Sequence, residues 1–247
     1  TGTALKIYVI SHKTFHMPVE DPLYQPLIVG QNEVENSAGC LFDHTGDHIS
    51  EKNGRYNELT GMYWIWKNVQ EDVVGICHYR RYFVTPAGKL ANLLSEKQTC
   101  FLKEEDVRKL LRHADVVVHN KTFFRENNRA QFEEGVNPFS WDILEQEMRS
   151  MYPDYVSALQ TVANRKYAHL LNVMITEKKI YDQYCGWLFP LLFQVEKRLE
   201  NSDLVKNMDR SVGMIGERLL DVWLLKNGLR LKECFSINTE RKDWKAW

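Results

Sequence analysis

Residues 72–83 read DVVGICHYRRYF, and this stretch decides the fold. Val73, Val74, Ile76 and Cys77 form a short apolar run of the kind buried in a sheet. The run then delivers His78, Arg80 and Arg81, cations that a core does not accept without a partner. In open α/β sheets, ligands gather outside the carboxyl ends of the strands. A planar guanidinium placed there suits a phosphate or diphosphate, because its fork donates two parallel hydrogen bonds. An internal ion pair with a core carboxylate is the competing account. Side chains alternate along a strand, so Arg80 and Arg81 are expected to face opposite ways, with Arg80 on the face of His78.

Working outward, ALKIYVISH (4–12) predicts a first buried strand. Residues 13–49 carry Pro18, Pro22 and Pro26 and predict loops around one short strand at 26–29. A helix is predicted over 50–68, with Tyr56, Leu59, Tyr63 and Trp66 on one face and Ser50 as N-cap. Beyond the central stretch, a helix feeds a strand at 115–119, and the polar region 121–137 reads as a mobile loop or flap. Short helices follow at 141–149 and 153–163. Then come a strand leading into a long helix that Pro190 would kink, a helix stopped by Gly228, and a last strand at 229–237. This order predicts one α/β domain over 1–247, Rossmann-like, with a mostly parallel central sheet flanked by helices.

Composition narrows the function classes. The 32 Lys and Arg nearly balance 33 Asp and Glu, so no nucleic-acid footprint exists and any basic site is local. Five scattered cysteines form no CxxC pair, which predicts free thiols rather than zinc or disulfides. No apolar run approaches a membrane span, WLFPLLF (187–193) being the longest, and 6–10 is too brief for a signal-peptide core. A soluble, cytoplasmic chain is expected.

Two further constellations carry chemistry. In residues 43–61, Asp43, Asp47, Glu51, Asn53, Asn57 and Glu58 crowd a loop and a helix start, a density suited to sugar or ribose hydroxyls. A solvated loop with capping residues would look the same. Aspartate oxygens also suit Mg²⁺ or Mn²⁺, but no Asp-any-Asp pair occurs in the chain, so a metal is not favoured. In MDRSVGMIGERLLDVW (208–223), Gly213 and Gly216 read as flexible residues before a helix with Glu217 in its first turn. Glu217 there is either a macrodipole partner or a general base, with Arg218 beside it for a carboxylate or phosphate. GxSxG, GxGxxG and GxxxxGK[ST] are all absent, which weighs against hydrolase-elbow, dinucleotide and P-loop chemistry.

The blocks DHTGDHISEKNGRYNELTGMYWIWKN and DVVGICHYRRYF, with NVMITEKKIYDQYCGWLFPLLFQVEKR and GERLLDVWL downstream, resemble the bacterial polysaccharide-biosynthesis glycosyltransferases of domain-of-unknown-function family 4422. The resemblance spans residues 6–234, with His48 standing where Asn is usual and Gly216 where Ser is common. It implies a GT-A-like fold and hexose transfer from a UDP-sugar, galactopyranose or galactofuranose, to a glycan or lipid-linked oligosaccharide acceptor in capsule or exopolysaccharide assembly. His78, Arg80 and Arg81 would then hold the donor diphosphate where a metal-binding Asp pair usually stands, without a required cofactor. Glu217 would be the catalytic base. Asp43, Asp47, Lys52, Asn53, Glu58, Trp64 and Arg218 would contact sugar or nucleoside. The basic, aromatic tail RKDWKAW (241–247) admits peripheral contact with the inner face of the cell membrane. A non-catalytic sugar-nucleotide- or glycan-binding module is the alternative. A sugar-phosphate nucleotidyltransferase lacks support, because ISHKTFHMP after the first strand is not a Gly-rich loop.

Overall fold

A computed structural model describes residues 3–30, 38–95, 100–202 and 210–240; the basic tail expected to touch a membrane lies outside them. Strand β1 (Leu5–Ser11) pairs in parallel with β2 (Tyr24–Ile28) and, on its other side, with β4 (Val73–His78). β3 (Leu41–Phe42) extends this parallel edge beyond β2. Burial alternates with period two along β1: Ile7 and Val9 pack into one apolar layer, Tyr8 and Ile10 into the other.

The expectation of a mostly parallel sheet needs correction. After β4, Tyr79 and Arg80 turn the chain directly into β5 (Arg81–Val84), with His78 opposite Arg81. Two residues permit only an antiparallel return, because a parallel crossover needs a dozen or more. β6 (Val116–His119), β9 (Met174–Glu177) and β10 (Leu231–Asn238) complete an eight-stranded sheet. β9 runs antiparallel to both β4 and β6, while β10 is parallel to β6 and antiparallel to β5. The far edge of β4 is thus shared, β9 along Val73–Ile76 and β5 at His78. The pairings close β4, β5, β10, β6 and β9 into a ring of five strands. Strands β7 (Thr122–Phe123) and β8 (Tyr167–Ala168) form a separate small ribbon.

The helix predicted over 50–68 is interrupted. Residues Ser50–Lys52 make a 3-10 turn, α1 (Asn53–Tyr56) is one turn long, and α2 (Leu59–Asn68) restarts beyond Asn57, whose φ is 52°. Ser50 caps nothing; its hydroxyl donates to Asp43 Oδ1 at 2.7 Å. Helices α3 (Pro86–Leu94) and α4 (Glu104–Leu111) precede β6. The supposed flap at 121–137 instead contains β7 and a helix, α5 (Asn128–Gly135). Asn127 caps α5 by accepting from Ala130 N–H at 2.8 Å, and Phe132 is its buried anchor. One apolar anchor in a polar run leaves little periodicity to recognise. Helices α6 (Phe139–Met151) and α7 (Val156–Asn164) follow, and α8 (Lys178–Glu200) runs through Pro190 as one helix. Last comes α9 (Ser211–Asn227), which Gly228 terminates in the left-handed conformation.

Gly213 and Gly216 lie inside α9, and Glu217 stands in its second turn, not its first. The glycines serve close approach rather than flexibility. A Cβ on Gly213 would come within 3.2 Å of Tyr56 O and 3.3 Å of Arg55 O, so α9 lies directly against the end of α1. A Cβ on Gly216 would meet Leu59 at the start of α2. The break between α1 and α2 is therefore held against the helix that carries Glu217.

Candidate functional site

Strand register places Ile10 of β1 beside His78 of β4. A cleft of about 510 Å³ opens beyond these carboxyl ends and is closed on its far side by the α1–α2 break. Its rim is cationic. His12 leaves β1, Arg80 occupies the β4–β5 turn, and Arg210 precedes α9. Arg80 is 51% exposed, lies 3.6 Å from Glu240, and covers the Tyr79 ring at 5.6 Å. Two imidazoles register the field. Burial pushes His78 down to about 4, with Arg81 and then Arg80 adding to it. His12 is also held below its usual value, first by burial and then by Lys13, Arg80 and Arg210. His78 Nε2 is buried without a hydrogen-bond partner. A rim that discharges its own histidines is one that an anion would relieve.

The floor is acidic. Glu58, at the α1–α2 break, lines the cleft and accepts from Asn172 Nδ2 at 3.0 Å. Burial holds its carboxyl above the ordinary value. Glu217 stands behind it on α9 and is 23% exposed. Burial and then the neighbouring Glu58 raise Glu217 to about 7, against the opposing pull of Arg218, the Leu171 N–H and Arg210. Two carboxyls that repel each other do not both ionise readily, which favours the protonated form of Glu217. Glu217 is then poised to take or give a proton.

Backbone strain concentrates at the same place. Among the described residues, the non-glycine positions with positive φ are Asn57, Leu171, Asn172 and Arg210. Asn57 precedes Glu58, Asn172 bonds Glu58, the Leu171 backbone favours the Glu217 carboxylate, and Arg210 acts on both carboxyls. Such conformations persist only where surrounding structure imposes them, and they cluster at working sites.

The cleft gathers some of the expected residues and not others. Glu217 stands behind the lining, while His78, Arg80, Asn53 and Glu58 line it. Arg81 does not; it opens β5, beyond the turn that Arg80 occupies, and acts on His78 and on His119. Asp43 is fully buried and accepts from Gly30 N–H at 3.0 Å as well as from Ser50. Asp47 accepts from the Tyr63 hydroxyl at 2.9 Å, and Lys52 pairs with Glu196 on α8. The Trp64 indole donates to Thr45 O at 3.0 Å. Arg218 is 1% exposed, bonded to Asn128 and Gln131 of α5 and 3.5 Å from Glu217. These five brace the site's surroundings.

Sequence reasoning missed Ser11, His12, Tyr79, Asn172 and Arg210. The strand-end rule that found His78 applies equally to β1 and would have found Ser11 and His12. Nothing in the sequence marks a leucine as left-handed at 171. Among the described residues, no three His, Cys, Asp or Glu side chains gather as a metal-ligand set, and all five cysteines are free.

The profile of the family described as domain of unknown function DUF4422 matches residues 6–228. The chain belongs to that family. The DUF4422 match takes in the cleft from β1 through Gly228. Among curated proteins the comparison finds no match. Among solved structures, the fold is similar to one described as the WbbM bifunctional glycosyltransferase in its apo form. The TM-score is 0.78 with 28% identity over 96% of this DUF4422 chain and 46% of WbbM. This chain thus spans about half the length of that protein.

Proposed function

We propose that this DUF4422 chain is a glycosyltransferase that moves a hexose from a UDP-sugar to a glycan acceptor in bacterial polysaccharide assembly. The observation that carries the reading is one cleft whose cationic rim faces the Glu58 carboxyl, with Glu217 behind Glu58 raised to about 7. Similarity to WbbM, described as a glycosyltransferase, and membership of DUF4422 support it.

In this reading Arg80 and Arg210, with His12 and His78, meet the donor diphosphate and neutralise the charge that grows on it as it leaves. The Glu217 carboxylate takes the proton of an acceptor hydroxyl. The freed oxygen pair forms a bond to the anomeric carbon, and the carbon–oxygen bond to UDP breaks with its electrons leaving on the phosphate. This is the inverting course. Charge neutralisation by side chains makes a divalent metal unnecessary. The donor is UDP-galactose in pyranose or furanose form. The acceptor is a lipid-linked oligosaccharide, reached by a cytoplasmic protein at the inner membrane face. Among the described residues, no helix is long and apolar enough to cross a membrane.

A thermal-shift panel of UDP, UDP-galactose, ATP and CTP, followed by an assay of UDP release with acceptor, tests the reading. Selective stabilisation by UDP compounds together with acceptor-dependent release is expected. UDP-sugar binding without any release would make the protein a binding module instead.

A further inference from the structure

A second ionised cluster sits behind the cleft and has no part in the reaction above. His169 follows β8, is 4% exposed, and meets a carboxylate at each ring nitrogen. Nδ1 lies 2.6 Å from Asp221 Oδ1 and Nε2 lies 2.8 Å from Glu233 Oε1. Its backbone N–H also donates to Asp221 Oδ2 at 2.8 Å. A neutral imidazole has one N–H, so only the doubly protonated ring donates to both carboxylates. Burial alone would strip that proton, but Asp221 and Glu233 more than reverse it and hold the ring above its ordinary value.

The charged and titratable groups around it come from every packed element. Asp221 is on α9, Glu233 is on β10 with Lys121 3.7 Å from it, and Tyr167 of β8 presents its ring at 6.3 Å. His119 of β6 lies near enough to feel the imidazolium and is held low, with Arg81 of β5 beside it.

The reason for a buried cation here lies two and three residues further on. Leu171 has φ 76° and Asn172 φ 53°, consecutive left-handed positions without a glycine. Those two residues act on the buried carboxyls: Asn172 Nδ2 donates to Glu58 at 3.0 Å, and the Leu171 backbone favours the Glu217 carboxylate. Asp221, which anchors His169, stands four residues after Glu217 on α9 and so shares its helix face. The helix that carries Glu217 therefore also grips the segment that acts on Glu217.

We propose that His169 is a positioning residue: pinned as a cation between Asp221 and Glu233, it holds the Leu171–Asn172 turn and so fixes Glu217 and Glu58 for proton abstraction. The proposal rests on Glu217 being the base, so its test includes a readout that needs no substrate. Glu233→Gln removes one charge, leaves an acceptor for Nε2–H, and changes a side chain that is 33% exposed. The carbon-13 titration of the Glu217 carboxyl is followed in this variant, alongside kcat and KM for UDP-galactose across pH.

Displacing the Leu171 backbone, which favours the Glu217 carboxylate, makes the Glu217 midpoint rise. Through space, removing the negative charge of Glu233 would act in the opposite direction, and the sign separates the two. Turnover falls about tenfold, KM for the donor stays within about twofold because the rim is untouched, and the acid limb of the rate profile moves to higher pH. His169→Gln, which keeps one side-chain N–H, reproduces the rise. A midpoint that falls or stays, with only a lower Tm, makes His169 a structural residue and overturns the proposal. A midpoint that rises in a protein that transfers no sugar leaves the clamp standing and removes the glycosyl-transfer reading.

Discussion

His78 and His169 are two buried imidazoles served by one sheet, and their surroundings drive them to opposite charge states. His78 ends β4 with Arg80 and Arg81 near it and a buried Nε2 that bonds nothing, so it gives up its proton. His169 has a carboxylate at each nitrogen and keeps both protons. Buried polar groups are satisfied almost everywhere in folded proteins, so an unpaired one at the edge of a cleft is informative. The completed network around His169 is architecture. The incomplete one around His78 is where an anionic ligand has something to supply.

The largest effect that would break this contrast is at the floor. Glu217→Gln is expected to lower turnover about 10²–10⁴-fold, read as UDP release. Unchanged turnover would take Glu217 out of the chemistry and leave the cleft a binding site. The same variant should be the more stable protein at pH 8. Glu217 is raised from 4.5 to about 7, so its contribution is fully present below 4.5 and lost as pH rises through 7. Replacing it with a neutral amide recovers about 1–2 kcal/mol in urea unfolding at pH 8.

At the rim, Arg80→Ala should raise KM for the UDP-sugar about tenfold, some 1.4 kcal/mol. Stability should move by less than about 1 kcal/mol, because the pair with Glu240 is exposed. Loss of the fold would instead return Arg80 to the internal ion pair that its sequence position also allowed.

The two histidines themselves bend stability in opposite directions. His78 is lowered, so its contribution is present above 6.5 and is lost as pH falls from 6.5 toward 4. His169 is raised, so its contribution is present below 6.5 and is lost as pH climbs through the folded value. His78→Asn should flatten the acid side of the curve by about 1 kcal/mol, and Glu233→Gln should flatten the alkaline side, because it narrows the gap between the folded and unfolded values of His169. Parallel curves for both variants would erase the distinction. The smallest effect is expected from EDTA, which should change turnover less than about twofold if side chains alone meet the diphosphate. A strict requirement for Mn²⁺ would move the charge of the rim to a metal.

Much of the chain was legible because its signals are local. The apolar run of 73–77, the strand before it at 5–11 and the stop at Gly228 all follow from periodicity and side-chain stereochemistry. What misled the reading was also local. Gly213 and Gly216 look flexible in isolation, yet each is a contact surface for a helix more than 150 residues earlier in the chain. The acidic loop looks like a hydroxyl grip, yet Asp43, Asp47 and Lys52 are absorbed by Gly30, Tyr63 and Glu196.

By itself, then, the sequence determined that a buried strand ends in His78, Arg80 and Arg81, that Glu217 rides a late helix, and that the chain looks like a DUF4422 protein. Only the tertiary structure decided that Arg80 alone of the two arginines lines the cleft, that Glu58 acts on Glu217, and that Asn172 bonds Glu58. The reason is physical: a side chain's charge state and a strained φ are set by neighbours brought from elsewhere in the fold, and no window of adjacent residues contains them.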